Sequence, residues 1–284
     1  MNNHLLIIDP QNDFCDLPRD WLPAGVIGAA PAVAPSLPVA GAHADLLRVA
    51  ALIDRAGAHF DAITVTLDAH HRYDIAHPTF WVRKNGERVA PFTQIRAAQI
   101  RSGECVTRDP AALPRALAYA EALEAAGRYT LMVWPVHCEI GSWGQNVHAA
   151  VRAAYNRWEE SQLAVVAKVS KGSNPWTEHY SAVMAEVPDP DDAATQPNLS
   201  LLASLAAAHR IVVAGEAGSH CVRATVEHVA DHLEATLGAG AARRLVLLTD
   251  CMSPVSGFEG QQRDFLAAMA ARGAVLTTSV ELLA

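Results

Sequence analysis

Cys221 ends the turn Gly215-Glu216-Ala217-Gly218-Ser219-His220, which follows the apolar run Val212-Val213-Ala214 and opens a helix-like stretch. A thiol at a helix N-terminus meets partial positive charge and free N–H groups. These lower its pKa and can receive an oxyanion forming on a substrate carbonyl. A small buried cysteine after a strand has the same local sequence, so other segments must decide. Asp9 closes the run Ile7-Ile8-Asp9-Pro10; it can act as general base toward a thiol, or simply cap a turn. Lys171, in Lys168-Val169-Ser170-Lys171-Gly172, would favour the charged forms of both partners if it lies near them. An exposed lysine is the ordinary alternative.

A second set of residues is rich in imidazole. In Asp68-Ala69-His70-His71, Asp68 and His70 are two apart on extended chain, so their side chains point the same way and can grip one ion. His71 then faces away. His137, in Trp134-Pro135-Val136-His137-Cys138, is the candidate third ligand, and His77 a candidate additional one. Two imidazoles and one carboxylate leave coordination positions open and suit Zn, Fe or Mn. Phe14 and Trp134 fall at the ends of candidate neighbouring strands, where aromatic faces can sandwich a flat ring. Tyr180 and Trp176 are candidate wall residues.

These groups need a scaffold that gathers strand ends. Apolar runs at His4–Ile8, Ala62–Leu67, Tyr129–Trp134, Leu163–Val169, Arg210–Ala214, Arg244–Thr249 and Ala274–Thr278 read as strands. Ala-rich stretches at Ala44–Ala58, Pro110–Ala126, Gly144–Trp158, Leu199–Ala208, Cys221–Leu237 and Gly260–Arg272 read as helices. Alternation of the two predicts a three-layer α/β/α fold with a mostly parallel central sheet, and ligands beyond the carboxyl ends of its strands. Asp16–Pro35 and Pro78–Asp109 lack clear periodicity and read as excursions forming a lid, a rim or a subunit contact. Pro188–Asp192 reads as a solvated turn.

The 284 residues are 51% hydrophobic, enough for one sizeable core. A formal charge of −8 with scattered Lys and Arg argues against nucleic acid or an anionic membrane as partner. The apolar N-terminal run has no basic flank and reads as a first strand rather than a signal peptide, and no stretch is long enough to span a bilayer. Five cysteines at wide spacing fit reduced thiols in a cytoplasm better than a disulfide framework.

The stretches IIDPQNDF, TLDAHH with a later HP, WPVHC followed by GS, KGSN, and VAGEAGSHCVRAT, in this order, resemble the isochorismatase-like cysteine hydrolases and, within them, the nicotinamidases. The resemblance spans the chain from Asp9 to the Asp250–Ser253 region. It implies a Rossmann-like hydrolase domain over residues 1–284, with insertions at about 16–35 and 78–128 that compact nicotinamidases lack. It further implies Asp9, Lys171 and Cys221 as catalytic triad, and Asp68, His70 and His137 as ligands of one divalent ion. Phe14 and Trp134 would flank a pyridine ring. The Glu216–Ala217 peptide would be cis, and the amides of Ala217 and Cys221 would form an oxyanion hole. His77 matches the compact enzymes' last metal-binding histidine only approximately. The implied activity is hydrolysis of nicotinamide to nicotinate and ammonia through a Cys221 thioester, a step in NAD metabolism, by a homo-oligomer.

An amidase of the same family acting on another small amide or carbamoyl compound is the nearest competitor. A non-haem iron oxygenase would use the same two-His-one-carboxylate set but would leave Cys221, Lys171 and Asp9 idle. A catalytically silent binding protein would have no use for all three.

Overall fold

The structure is a computed structural model that describes residues 2–23 and 33–282. Part of the first predicted excursion, residues 24–32, lies outside the described residues. The described residues form ten strands: β1 (Asn3–Ile8), β2 (Ala62–Asp68), β3 (Trp81–Arg83), β4 (Thr93–Ile95), β5 (Cys105–Thr107), β6 (Leu131–Val133), β7 (Ala167–Lys171), β8 (Arg210–Gly215), β9 (Leu245–Leu248) and β10 (Val275–Thr277). The helices are α1 (Ala42–Ala56), α2 (Ala97–Arg101), α3 (Leu113–Ala126), α4 (Ala149–Gln162), α5 (Leu199–Ala206), α6 (Cys221–Leu237) and α7 (Glu259–Ala271).

Six strands form one parallel sheet in the order β10-β9-β8-β1-β2-β7. Alternation along β1 explains the layers. Leu5 and Ile7 point into a core shared with Leu46 and Ile53 of α1 and Tyr155 and Trp158 of α4. Leu6 and Ile8 point into the opposite core, with Leu205 of α5, Val226 of α6 and Phe265 of α7. Both faces are thus covered, which is why the strands are apolar on both sides, and the predicted three-layer α/β/α architecture is present.

Four predicted elements differ. The Tyr129–Trp134 run is the short strand β6, and it pairs antiparallel with β4 outside the central sheet. Trp134 therefore does not end a strand adjacent to that of Phe14. The Leu163–Val169 strand starts only at Ala167, because α4 continues to Gln162 and ends on Leu163 in the left-handed region, φ 51°. The helix predicted from Gly144 starts at Ala149, since the preceding residues pair with the loop after β1: Asp13 N donates to Gly144 O at 3.0 Å and Asn12 N to Asn146 O at 2.9 Å. Finally, Pro78–Asp109 does leave the central sheet, but it is not irregular. Its three-residue strands are too short to show a period, yet with α2 and α3 they enclose a third core around Phe80, Trp81, Ile95 and Leu123.

Pro188–Asp192 is more tied down than a solvated turn. Asp189 accepts from Arg115 at 2.6 Å and from Asn174 at 3.2 Å. All five cysteines are free and buried, and among the described residues no helix is long and apolar enough to cross a membrane.

Candidate active site

The carboxyl ends of β8, β1, β2 and β7, four consecutive strands of the sheet, carry the triad residues and the first metal-site carboxylate. Asp9 follows β1 with φ 43°, a bend uncommon for a non-glycine residue that redirects the chain at the carboxyl end of this central strand. Its Oδ1 accepts from Thr66 Oγ1 at 2.5 Å, and its Oδ2 pairs with Lys171 Nζ at 2.9 Å. Asp68 and Lys171 are cross-strand partners in the β2–β7 register, and their charged groups meet at 2.9 Å. Lys171 Nζ also donates to the carbonyl of His179 at 3.0 Å and reaches Cys221 Sγ at 3.6 Å. Cys221 is the first residue of α6, as the sequence indicates. All four groups are buried.

Charge is distributed unevenly among them. Burial opposes ionisation of Asp68, but His70 and Lys171 outweigh it and hold the carboxyl well below its ordinary value. Burial likewise opposes the Lys171 ammonium, and Asp68 and Asp9 reverse the effect, raising its pKa well above the usual range. Asp9 is raised, by burial first and by Asp68, with Lys171 pulling against both. Cys221 corrects the sequence expectation of a lowered thiol pKa. Burial pushes the thiol well up, Lys171 pulls it down, and the Asp9 and Asp68 carboxylates add to the rise. The Cys221 thiol and the Asp9 carboxyl are thus both shifted toward holding their protons more tightly.

The imidazole set converges next to this corner. Asp68 Oδ2 lies 3.1 Å from His70 Nε2 and 3.3 Å from His137 Nε2, so one ligand atom of each residue faces a common point. The other ring nitrogens are occupied: His70 Nδ1 meets Asp74 Oδ2 at 3.0 Å, and His137 Nδ1 meets the Pro135 carbonyl at 2.8 Å. Outer partners of this kind fix the tautomer that turns the Nε2 lone pairs inward. Two lone pairs and a carboxylate facing one point is a donor set for a divalent cation, and the residues fit one. Burial works against protonating His70, but Asp68 and Asp74 hold its pKa well above the usual value, as strong local demand for positive charge requires. Gly172, at φ +88°, abuts this corner. A Cβ there would lie 3.0 Å from Asp68 Oδ1 and 3.2 Å from His70 Cε1.

His77 stands behind the set, its Nε2 3.3 Å from His137 Nδ1, and burial lowers its pKa to about 3. It contacts a ligand rather than the common point. His71 is exposed, as expected from alternation.

Phe14, Trp134, Asp68, His137, Ala217 and Cys221 line one cavity of about 20 Å³, which holds roughly one water. The sequence reading missed Leu37, Glu178, His220 and Val255, which complete its wall. Tyr180 also lines it, its hydroxyl accepting from Trp134 Nε1 at 3.0 Å. Trp176 does not; it packs edge-on to Phe80 beneath the Arg115 guanidinium on another surface. Glu178 carried no spacing signal, being one acid in an irregular stretch. Its Oε1 accepts from His179 N at 2.9 Å, and burial raises its pKa.

The Glu216–Ala217 peptide is cis. Among the described residues, the amides of Ala217 and Cys221 donate no hydrogen bond, and both residues border the cavity beside the thiol. Two free donors so placed can receive an oxyanion.

Compared over nearly its whole length, the chain is similar to several solved structures. It aligns with an Acinetobacter baumanii nicotinamidase/pyrazinamidase at 18% identity and TM-score 0.61, covering 99% of this chain and 98% of that one. With the yeast nicotinamidase Pnc1p bound to the inhibitor nicotinaldehyde the figures are 19%, 0.61, 97% and 99%. With the pyrazinamidase of Pyrococcus horikoshii in complex with zinc they are 17%, 0.51, 98% and 99%. No family model and no curated protein matches the chain. At these identities the likeness is one of fold: the α/β architecture predicted from the motifs is that of the nicotinamidase and pyrazinamidase structures.

Proposed function

We propose that the chain is a metal-assisted cysteine amidohydrolase that converts nicotinamide to nicotinate and ammonia. One observation carries the proposal. A single buried ammonium, Lys171, touches Asp9, Asp68 and Cys221 at once, directly beside the inward-facing Asp68, His70 and His137 donors. The similar nicotinamidase and pyrazinamidase folds support it, as does the zinc complex among them. We read residues 1–284 as one hydrolase domain with two insertions.

In this account Asp9 accepts the Cys221 proton as sulfur attacks the amide carbon, and Lys171 compensates the negative charge that remains. A raised carboxyl pKa suits Asp9 to the task, because proton transfer is most efficient when donor and acceptor basicities approach one another. The amides of Ala217 and Cys221 take the oxyanion; loss of one such donor typically costs about 2.7–4 kcal/mol. Asp9 then returns the proton to the departing nitrogen, releasing ammonia and leaving a Cys221 thioester. Water, deprotonated by Asp9, attacks the thioester carbonyl, and the proton passes back to sulfur as nicotinate leaves.

Asp68, His70 and His137 would hold a divalent ion, which supplies Lewis acidity toward the ring nitrogen and a fixed orientation for the substrate. Phe14 and Trp134 would bracket the ring. Because the cavity has room for only about one water, ring binding would move Leu37, Val255 or the aromatic walls outward.

The test is a side-by-side assay of ammonia release from nicotinamide and pyrazinamide against ureido and maleamic-type amides. Release from the aromatic amides is expected. Release only from the non-aromatic compounds would replace nicotinamide by another small amide and leave the thiol chemistry standing.

A further inference from the structure

Glu216 lies beneath the nucleophile turn with no exposed surface and no role in the chemistry above. Its carboxyl is linked through Ser253 to that of Asp45, a buried residue in the first turn of α1. Ser253, from the loop after β9, joins the two: its N–H donates to Glu216 Oε2 at 3.2 Å and its hydroxyl to Asp45 Oδ2 at 2.6 Å. Other charged and titratable groups around the pair are Arg48 from α1, Cys15 and Asp16 from the segment after β1, and Asp250 and Cys251 from the loop after β9. Arg48, the cation of this set, engages Asp45 and Asp250. Glu216 touches no positive charge, and Glu216 Oε1 has no donor among the described residues. Two buried carboxyls bridged by one serine, with a cation on one side only, cannot both be ionised without a heavy desolvation and repulsion cost.

The same residues pin the backbone that faces the cavity. Glu216 N donates to the Ile8 carbonyl at 2.8 Å, and Gly218 N to the Ser253 carbonyl at 2.8 Å. Ala217, whose amide is free, sits between these two anchors.

We infer that Glu216 is a positioning residue: it carries a proton shared with Asp45, and this singly charged pair, balanced by Arg48, anchors the turn that aims the Ala217 amide at the reacting carbonyl. Burial, with the charge of Asp45, accordingly drives the Glu216 pKa well above the ordinary carboxylate range. The kinetic part of this inference rests on the amidohydrolase assignment; the shared proton does not.

Because the folded-state pKa exceeds the unfolded one, the stability that Glu216 contributes is complete below its unfolded value and is lost as pH rises through the folded value. Glu216→Gln keeps the shape and a donor but cannot ionise. Thermal unfolding of wild type and Glu216→Gln across pH should therefore diverge above the ordinary Glu value. The folding constant of the variant should gain up to about tenfold per pH unit on that of wild type. A difference that stays constant with pH would overturn the shared proton. So would an infrared spectrum of the wild type lacking the protonated-carboxyl stretch that Glu216→Gln should remove.

For the positioning role, Glu216→Leu should lower kcat by about a hundredfold with KM little changed, as expected from misplacement of a catalytic group, while Glu216→Gln stays near wild type. Equal kcat in the two variants would overturn that role. If Glu216→Leu does not fold, Glu216→Gln still decides through its kcat, since a large loss there contradicts rescue by a neutral donor. Absence of amide hydrolysis in wild type would defeat the activity assignment alone, leaving the unfolding and infrared results to judge the proton.

Discussion

The corner built around Lys171 and the corner built around His137 meet at Asp68, yet they are constructed differently. The first takes its side chains from the ends of four adjacent parallel strands, in a register that sets Asp68 directly opposite Lys171. The second takes His70 from the residues after β2, and His137 from a loop beyond β6, a strand outside the central sheet. That loop is held instead by one side-chain contact and by a backbone bond: Asp13 Oδ2 accepts from Cys138 N at 2.7 Å, and His70 N donates to the Cys138 carbonyl at 3.0 Å. A charge-pairing site on a rigid sheet and an ion site on braced loops should fail in different ways when perturbed.

Replacing Cys221 by Ala is expected to have the largest effect, abolishing turnover with metal content unchanged; amidase activity in that variant would remove the thioester. Lys171→Met strikes the same corner through charge. It leaves Asp9 and Asp68 buried without their shared cation, and breaking a buried pair typically costs about 3–5 kcal/mol, so both activity and the unfolding midpoint should drop. Across the boundary, His70→Ala should strip the ion while the fold and Cys221 alkylation persist, as metal analysis beside thiol titration would report. If Cys221 alkylation were also lost, the two corners would not be separable. Asp74→Asn acts one step further out. Loss of an outer partner commonly lowers metal affinity about 10–100-fold, measurable by competition with a chelator.

The pH dependence separates the corners as well. Asp9 must be ionised to accept the thiol proton, and its pKa is raised, so kcat/KM should fall on the acid side at a pH above the ordinary carboxylate range. Asp68 carries the opposite shift. Its contribution to stability is present above its unfolded value and is lost only as pH falls below it. Activity should thus disappear on acidification before the fold does, and simultaneous loss would contradict the assignment of Asp9. The smallest effect is expected at Trp134→Phe, which keeps an aromatic face and loses only the hydrogen bond to Tyr180, roughly 0.5–1.5 kcal/mol; KM for nicotinamide should rise less than about tenfold.

The sequence was most legible where a residue's role depends on local chain direction. The start of α6 at Cys221, the ends of β1 and β2 at Asp9 and Asp68, and the shared direction of Asp68 and His70 all follow from periodicity and turn chemistry. Contacts made across long stretches of chain were not legible. Thr66 on Asp9, Tyr180 on Trp134 and Asp45 against Glu216 pair residues whose types recur throughout the chain, so spacing carries no signal for them. The thiol pKa failed for a related reason: helix position is local, whereas burial and two converging carboxylates are properties of the assembled fold.

The central claim, that Cys221 sulfur bonds to the amide carbonyl carbon, is tested most directly by rapid acid quench of enzyme mixed with excess nicotinamide, followed by mass spectrometry of the intact chain and its peptides. A nicotinoyl mass increment confined to the Cys221 peptide, rising before steady-state ammonia release, is the predicted result. Steady ammonia production with the Cys221 peptide unmodified throughout would contradict it.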